Sequence, residues 1–160
     1  MTNSYKYPLA SDTLDDSNIE DFVTWFRSRP QLTMGEVTKE YERQWAKILG
    51  RKYAVFCNSG SSANLLACYA PLCSNRLQNK RVIVPSTGWS TSINPAIQFG
   101  FKAIMCETDP DTFGLDLDHL EKLIKDNDRP STVVLVHALG VPHKMDELME
   151  LKNKYKFIKY

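Results

Sequence analysis

The sequence predicts an α/β fold in three layers, in which a mostly parallel sheet carries helices on both faces. After residue 50, short and mostly apolar runs alternate with stretches that have helical periodicity. Runs that are apolar throughout are typical of strands buried on both faces, whereas strands with one solvent-exposed face alternate apolar and polar residues. Alternation of strand and helix in this order indicates parallel strands joined by right-handed βαβ crossovers.

The chain begins with an irregular arm that is followed by two predicted helices. Helical periodicity covers residues 18–26 and residues 36–49, and Gly50 stands where a left-handed helix cap is favoured. We divide the chain into an N-terminal arm and helix, residues 1–34, and a larger domain, residues 35–160.

The larger domain is predicted to alternate five strands with four helices. The strands are predicted at residues 53–57, 81–85, 101–106, 132–137 and from 156 onward. The helices are predicted from residue 63, before Gly100, near residues 117–126 and over residues 145–154. The carboxyl ends of these strands therefore share one edge, where open α/β sheets bind their ligands.

Composition and charge exclude several classes of protein. The chain has 20 basic and 19 acidic residues and a net charge of +1, so we expect no nucleic acid and no anionic membrane as partner. No apolar run approaches the ~20 residues of a membrane span, and the start lacks the apolar core of a secretion signal. The 4 cysteines and 3 histidines have no zinc-site spacing. We expect a soluble, cytoplasmic protein without a metal.

The turn at residues 58–62 has two interpretations. A helix that starts here would offer unpaired N–H groups to an anion, with Gly60 permitting close approach and the hydroxyls of Ser61 and Ser62 adding donors. Alternatively, Ser59 or Ser61 is an ordinary helix cap. The turn is neither a Walker A loop nor a GxGxxG dinucleotide motif. Taken alone, it leaves both interpretations open.

Two further strand ends carry candidate residues. Trp89 follows the strand at 81–85 and could stack on a planar ring or simply seal the edge of the sheet. His137 ends the strand at 132–137, where a hydrogen-bonded structural role competes with a role in catalysis. The acidic loop at residues 107–110 is expected to be solvated and is assigned no role.

Together these motifs resemble the nucleotide-sugar aminotransferases of the DegT/DnrJ/StrS type. The resemblance covers residues 31–158 and includes Gly-Glu-Val-Thr-Lys-Glu-Tyr-Glu from Gly35 and Val-His-Ala-Leu-Gly-Val-Pro from Val136. The block Asn-Ser-Gly-Ser-Ser-Ala-Asn-Leu-Leu from Asn58 is its most specific part. Enzymes of this type have the fold-type I architecture and use pyridoxal 5′-phosphate (PLP).

The resemblance implies a role for each candidate residue. Gly60, Ser61 and Ser62 would hold the phosphate of PLP. Trp89 would stack on the pyridine ring, and His137 would lie near the cofactor at the next strand end. The chain would then correspond to an N-terminal portion of the fold-type I large domain.

The resemblance also implies substrates and partners. Such enzymes take a keto-sugar nucleotide and an amino donor, usually glutamate, and work as dimers in the synthesis of sugars for lipopolysaccharides and related products. A subgroup that resembles this chain more closely comprises the 3-dehydrases of CDP-4-keto-6-deoxyglucose. We expect a homodimer or association with a complementing chain.

The resemblance leaves enzymatic activity open. The positions of the Schiff-base lysine and of the carboxylate that partners the pyridinium nitrogen are absent from this sequence, so covalent attachment at the usual site is not expected. No catalytic residue is assigned. The predictions are a truncated or split aminotransferase-like or dehydrase-like protein, inactive as given, or a non-catalytic module for phosphate binding or dimerisation.

Overall fold

A computed structural model describes residues 12–159 of the chain. These residues form two compact units, one that extends to Phe56 and one that begins at Cys57. No helix in the described range is long and apolar enough to cross a membrane.

The first unit contains two helices, α1 (Asp16–Arg27) and α2 (Glu36–Ile48). A reciprocal capping box starts α1, because Asp15 accepts the N–H of Asn18 while the Asn18 side chain accepts the N–H of Asp15. After α2 the chain turns through Gly50 at φ 61°, which confirms the predicted left-handed cap.

The apolar faces of these two helices remain exposed. No residue of α1 is buried, and Ala46 is the one buried residue of α2. The exposed apolar side chains are Ile19, Phe22, Phe26, Val37, Tyr41, Trp45 and Ile48. The first unit therefore buries little apolar surface of its own.

The prediction of a strand at residues 53–57 is wrong. These residues form no strand, and the side chains of Val55 and Phe56 are 72% and 53% exposed. A strand is defined by hydrogen bonds to a neighbour, and none of the four strands in the described range pairs with this segment. Apolar composition indicates that a segment tends to be buried, but it does not show whether a neighbouring strand is present to pair with it.

The second unit is built on a four-stranded parallel sheet. The strands are β1 (Arg81–Pro85), β2 (Lys102–Cys106), β3 (Thr132–Val133) and β4 (Ile158–Lys159), in the order β2-β1-β3-β4. The helices are α3 (Gly60–Cys73), α4 (Asn94–Gln98), α5 (Leu117–Asp126) and α6 (Met145–Tyr155).

Two separate hydrophobic cores lie on the two faces of this sheet. Ile83 of β1 packs in a core with Leu120 of α5 and Leu148 of α6. Its neighbour Val82 faces the other way, into a core with Cys68 of α3 and Ala96 of α4. Successive side chains of a strand point to opposite faces, so helices cover both sides. The predicted three-layer α/β architecture is confirmed.

The third strand is shorter than predicted. The prediction covered residues 132–137, but β3 ends at Val133 and one further hydrogen bond follows, from the Val134 N–H to the Ile83 carbonyl at 2.9 Å. The neighbouring strand β1 ends in Pro85, which has no N–H to continue a ladder. The following residues leave the sheet and form the loop that carries His137.

Candidate functional site

The candidate site lies where the direction of chain travel across the sheet reverses. From β1 the chain moves outward to β2, then returns to place β3 on the other side of β1. Loops that follow two such strands diverge and leave a crevice at their carboxyl ends, which is the usual ligand position in open α/β sheets. Trp89 lies on the loop after β1, and His137 lies on the loop after β3.

The first turn of α3 is capped by its own residues. The Oγ of Ser59 accepts the Ser62 N–H at 3.2 Å, and the hydroxyl of Ser62 donates to Oδ1 of Asn58 at 2.6 Å. The helix-cap interpretation of Ser59 is therefore confirmed. It does not exclude an anion, because a helix start leaves four N–H groups without intrahelical partners and one cap satisfies only one of them.

Gly60 leaves open space at the start of α3. A Cβ atom built on this residue would meet nothing within 4 Å. The adjacent Ser61 is exposed, so its hydroxyl and N–H lie on the surface of the same turn. The arrangement offers backbone and hydroxyl donors at the positive end of a 14-residue helix, which is a chemistry that suits an anion.

A hydrogen bond ties α3 to the loop that carries Trp89. The Nδ2 amide of Asn64 donates to the Thr91 carbonyl at 3.0 Å. Trp89 itself precedes a 3-10 turn, Ser90–Ser92, and its side chain is 75% exposed. The structure thus joins the elements that carry two of the predicted site features, and the indole is free to contact a ligand.

His137 lies at the same edge of the sheet, on the loop after the strand next to β1. Its Nδ1 accepts the backbone N–H of His143 at 3.3 Å, and its side chain is exposed. The loop then passes through Leu139 at φ 54° and Gly140 at φ 80°. These left-handed residues reverse the chain in a short distance.

The expectation of a solvated acidic loop at residues 107–110 is wrong for Asp109. This side chain is buried, its Oδ1 accepts the N–H groups of Asp111 and Thr112, and its Oδ2 pairs with Lys144 Nζ at 2.7 Å. Lys144 is the main cause that lowers the pKa of Asp109, and Asp109 raises the pKa of Lys144. The sequence Asp-Pro-Asp-Thr is typical of such a turn, so a signal was present.

His143 is a residue that the sequence patterns do not reveal. It is buried, and its Nδ1 accepts the Leu115 N–H at 3.1 Å. Burial is the largest cause that lowers its pKa, followed by the charge of His137. The imidazole fits because the residue beside it is Gly114, where a Cβ atom would lie 1.9 Å from His143 Nδ1.

The described residues, 12–159, hold no cluster of three or more His, Cys, Asp or Glu side chains that could bind a metal ion. The polar groups at this edge of the sheet are N–H and hydroxyl donors and the exposed imidazole of His137. Such donors suit an anionic group.

Residues 13–158 match the DegT/DnrJ/EryC1/StrS aminotransferase family, and the chain belongs to this family. The resemblance inferred from the motifs is confirmed, as is the α/β architecture of a fold-type I large domain.

Three relatives illustrate the similarity. The chain is 36% identical to the GDP-4-keto-6-deoxy-D-mannose 3-dehydratase of Escherichia coli O55:H7, with 91% of this chain and 37% of the relative covered. It is 31% identical to the GDP-perosamine synthase of Caulobacter vibrioides, with 99% of this chain and 41% of the relative covered. A solved E. coli GDP-4-keto-6-deoxy-D-mannose 3-dehydratase with bound hydrated PLP superposes with a TM-score of 0.85 at 35% identity, over 96% of this chain and 39% of that one.

The chain spans about two fifths of the length of these relatives. The cofactor that the resemblance implies agrees with the PLP bound in the solved relative. The roles of Gly60, Ser61, Ser62, Trp89 and His137 remain predictions.

Proposed function

We propose that this chain contributes the phosphate-binding part of a PLP site in an enzyme that modifies a nucleotide-linked keto sugar. The observation that carries the proposal is the open, donor-rich first turn of α3, joined by Asn64 to the loop of Trp89. The family supports PLP as the ligand, because relatives at 35% identity contain it.

The phosphate fits the first turn of α3. The N–H groups of Gly60 and Ser61 and the hydroxyl of Ser61 provide three donors, and the open space at Gly60 lets phosphate oxygens approach the backbone. The helix dipole adds a favourable field for a dianion. None of these groups is needed for the Ser59 cap.

Ser62 enters the site only after a change of partner. Its N–H is held by Ser59 and its hydroxyl by Asn58. A phosphate oxygen that accepts from the hydroxyl of Ser62 would replace the side-chain amide oxygen Oδ1 of Asn58, exchanging a neutral acceptor for a charged one. Hydrogen bonds to charged groups are about twice as strong as neutral ones, so the exchange favours phosphate.

Trp89 and His137 would contact the rest of the cofactor. The exposed indole offers a face on which a pyridine ring can stack, worth about 0.5–1.5 kcal/mol beyond the buried area. His137 offers an imidazole from the loop on the other side of the crevice. Bound PLP supplies an electron sink for bond cleavage next to an amino-bearing carbon.

The substrate class that we propose is a nucleoside-diphosphate-linked 4-keto-6-deoxysugar, by similarity to the two relatives named GDP-4-keto-6-deoxy-D-mannose 3-dehydratase, at 36% and 34% identity. Removal of the 3-hydroxyl is favoured over transamination because these two 3-dehydratases are 36% and 34% identical, whereas the GDP-perosamine synthase is 31% identical. Transamination with an amino donor is the second candidate.

Binding of pyridoxamine 5′-phosphate tests the proposal, because this form of the cofactor cannot react with lysine amines. Equilibrium dialysis with the 160-residue chain should detect binding that pyridoxamine without phosphate lacks. Ser61→Ala should weaken binding about five- to tenfold, the worth of one hydrogen bond. Ser74→Ala, at the other end of α3, is the matched control and should have no effect. Equal affinity for pyridoxamine 5′-phosphate and for pyridoxamine would contradict the proposal.

A further inference from the structure

The loop that carries His137 is held in place by two hydrogen bonds that end on imidazole nitrogens. The Leu115 N–H donates to Nδ1 of His143 at 3.1 Å, and the backbone N–H of His143 donates to Nδ1 of His137 at 3.3 Å. The two rings lie 5.1 Å apart, centre to centre. The loop after β2 is thereby connected through His143 to the loop after β3.

These bonds define the protonation of both rings. A nitrogen that accepts a hydrogen bond carries no proton, so a neutral imidazole that accepts at Nδ1 carries its proton at Nε2. His137 therefore has an Nε2–H donor, and its side chain is exposed at the ligand edge of the sheet. In this tautomer His137 can donate to an anionic oxygen, but its basic nitrogen is already engaged.

The side chain of His143 is held by close packing and by the hydrogen bond at Nδ1, and its buried Nε2 has no hydrogen-bond partner among the described residues. It is 5% exposed, and a Cβ atom on Gly114 would lie 1.9 Å from its Nδ1. The next residue, Lys144, is anchored to the buried carboxylate of Asp109 at 2.7 Å. The backbone of residues 143 and 144 is thus held at two successive side chains, and the N–H that binds His137 lies in that stretch.

We propose that His143 is a positioning residue for His137: its imidazole anchors the loop to Leu115, and its backbone N–H fixes His137 in the tautomer that presents an Nε2–H donor. Gly114 is required because it leaves room for the imidazole. The positioning of His137 by His143 rests on the geometry alone. That His137 then donates to the cofactor rests on the proposed function.

Trans-hydrogen-bond ¹⁵N–¹⁵N couplings test the positioning directly. In the labelled 160-residue chain we expect couplings from the backbone nitrogen of Leu115 to His143 Nδ1 and from that of His143 to His137 Nδ1. The third histidine is an internal control, because His119 Nδ1 accepts the Glu107 N–H at 3.0 Å outside this loop. Its coupling should be present in the wild type and in each variant.

Three variants separate positioning from simple folding. Gly114→Ala should remove both test couplings and retain that of His119. His143→Phe keeps a ring of similar bulk and should remove the coupling from residue 143 to His137. His143→Asn places an amide oxygen near the position of Nδ1 and should restore that coupling. Absence of the two test couplings in the wild type, or a His137 coupling that survives both Gly114→Ala and His143→Phe, would overturn the proposal.

Binding of pyridoxamine 5′-phosphate separates this proposal from the proposed function. If His137 donates to the cofactor, His143→Phe should weaken binding about five- to tenfold and His143→Asn should recover most of it. A wild-type chain that shows the couplings but binds no cofactor would contradict the proposed function while retaining the positioning. A chain that binds the cofactor but lacks the couplings would contradict the positioning alone.

Discussion

The Nδ2 amide of Asn64 donates to the carbonyl of Thr91 at 3.0 Å and connects the second turn of α3 to the loop after β1. One side of this bond carries the proposed phosphate turn, and the other carries Trp89. A phosphate site and a stacking site that act on one cofactor must keep a fixed separation. This bond is a physical means of keeping it.

Asn64→Ala should therefore weaken cofactor binding although Asn64 does not itself contact the cofactor in our proposal. Loss of one partly buried hydrogen bond should cost about 1 kcal/mol of unfolding free energy. Affinity for pyridoxamine 5′-phosphate, measured by dialysis, should fall further than it does in the control Asn127→Ala. That control removes a hydrogen bond of the same length, which the Nδ2 amide of Asn127 donates to the Leu123 carbonyl at the end of α5. Equal affinities in the two variants would contradict the connecting role.

Gly114→Ala should destabilise the fold. The added methyl group would overlap the imidazole of His143, and overpacking of this kind costs about 1–3 kcal/mol. Urea denaturation should show a lower midpoint. Gly88→Ala is the matched control, because a Cβ there would meet Pro85 at an ordinary 3.6 Å. An unchanged midpoint for Gly114→Ala would mean that the imidazole moves aside without cost.

Stability should fall as the pH is lowered through the range in which His143 takes up a proton. Burial, followed by the charge of His137, lowers the pKa of His143 below its usual 6.5. Folding then favours the neutral ring, so its contribution is complete above about pH 6.5 and is lost as the pH falls through the lower folded pKa. The neighbouring ion pair of Asp109 with Lys144 acts in a separate window, because the pKa of Asp109 is lowered from 3.8.

Thermal unfolding of the wild type and of His143→Asn between pH 7 and pH 4.5 measures this effect. The wild-type midpoint should decline more steeply than that of the variant, because the variant has no proton to bind at residue 143. Parallel curves would show that protonation of His143 does not oppose folding.

The first unit should associate through its exposed apolar helices. The side chains of Tyr41, Trp45 and Ile48 lie exposed along α2. Clustered apolar side chains of this size favour association. Sedimentation velocity should show concentration-dependent self-association that Ile48→Glu reduces. Lys47→Glu changes an already polar neighbour and is the control. Identical sedimentation of wild type and Ile48→Glu would contradict association through this face.

Sequence patterns located much of the fold because local signals and burial agreed. The helix α5 and the strand β1 begin and end where the pattern predicts, since α5 is amphipathic and β1 is apolar throughout. The strand predicted at 53–57 is not found, because apolar composition does not show whether a pairing strand is present. The predicted length of β3 was too great, because the apolar residues continue past the point where Pro85 ends the hydrogen-bond ladder of the neighbouring strand.

The candidate site was predictable in part. The turn at Gly60 and the exposed Trp89 follow from motifs that are contiguous in sequence. His143 could not be found that way, because its burial and its hydrogen bond depend on Leu115 and Gly114, which are distant along the chain and become neighbours only in the fold. Asp109 carried a turn signature, but its burial and its pairing with Lys144 are tertiary properties.

In our proposal, the start of α3 binds the cofactor phosphate beside Trp89. A chain with Trp25→Phe and Trp45→Phe leaves Trp89 as the single indole, so its fluorescence reports on this site. Titration with pyridoxamine 5′-phosphate should quench it saturably, and inorganic phosphate should compete. Gly60→Ala, which fills the open space without contacting other atoms, should weaken the quenching at least tenfold while the unfolding midpoint is unchanged or higher. Quenching that is indifferent to the phosphate group and to Gly60→Ala would contradict the account.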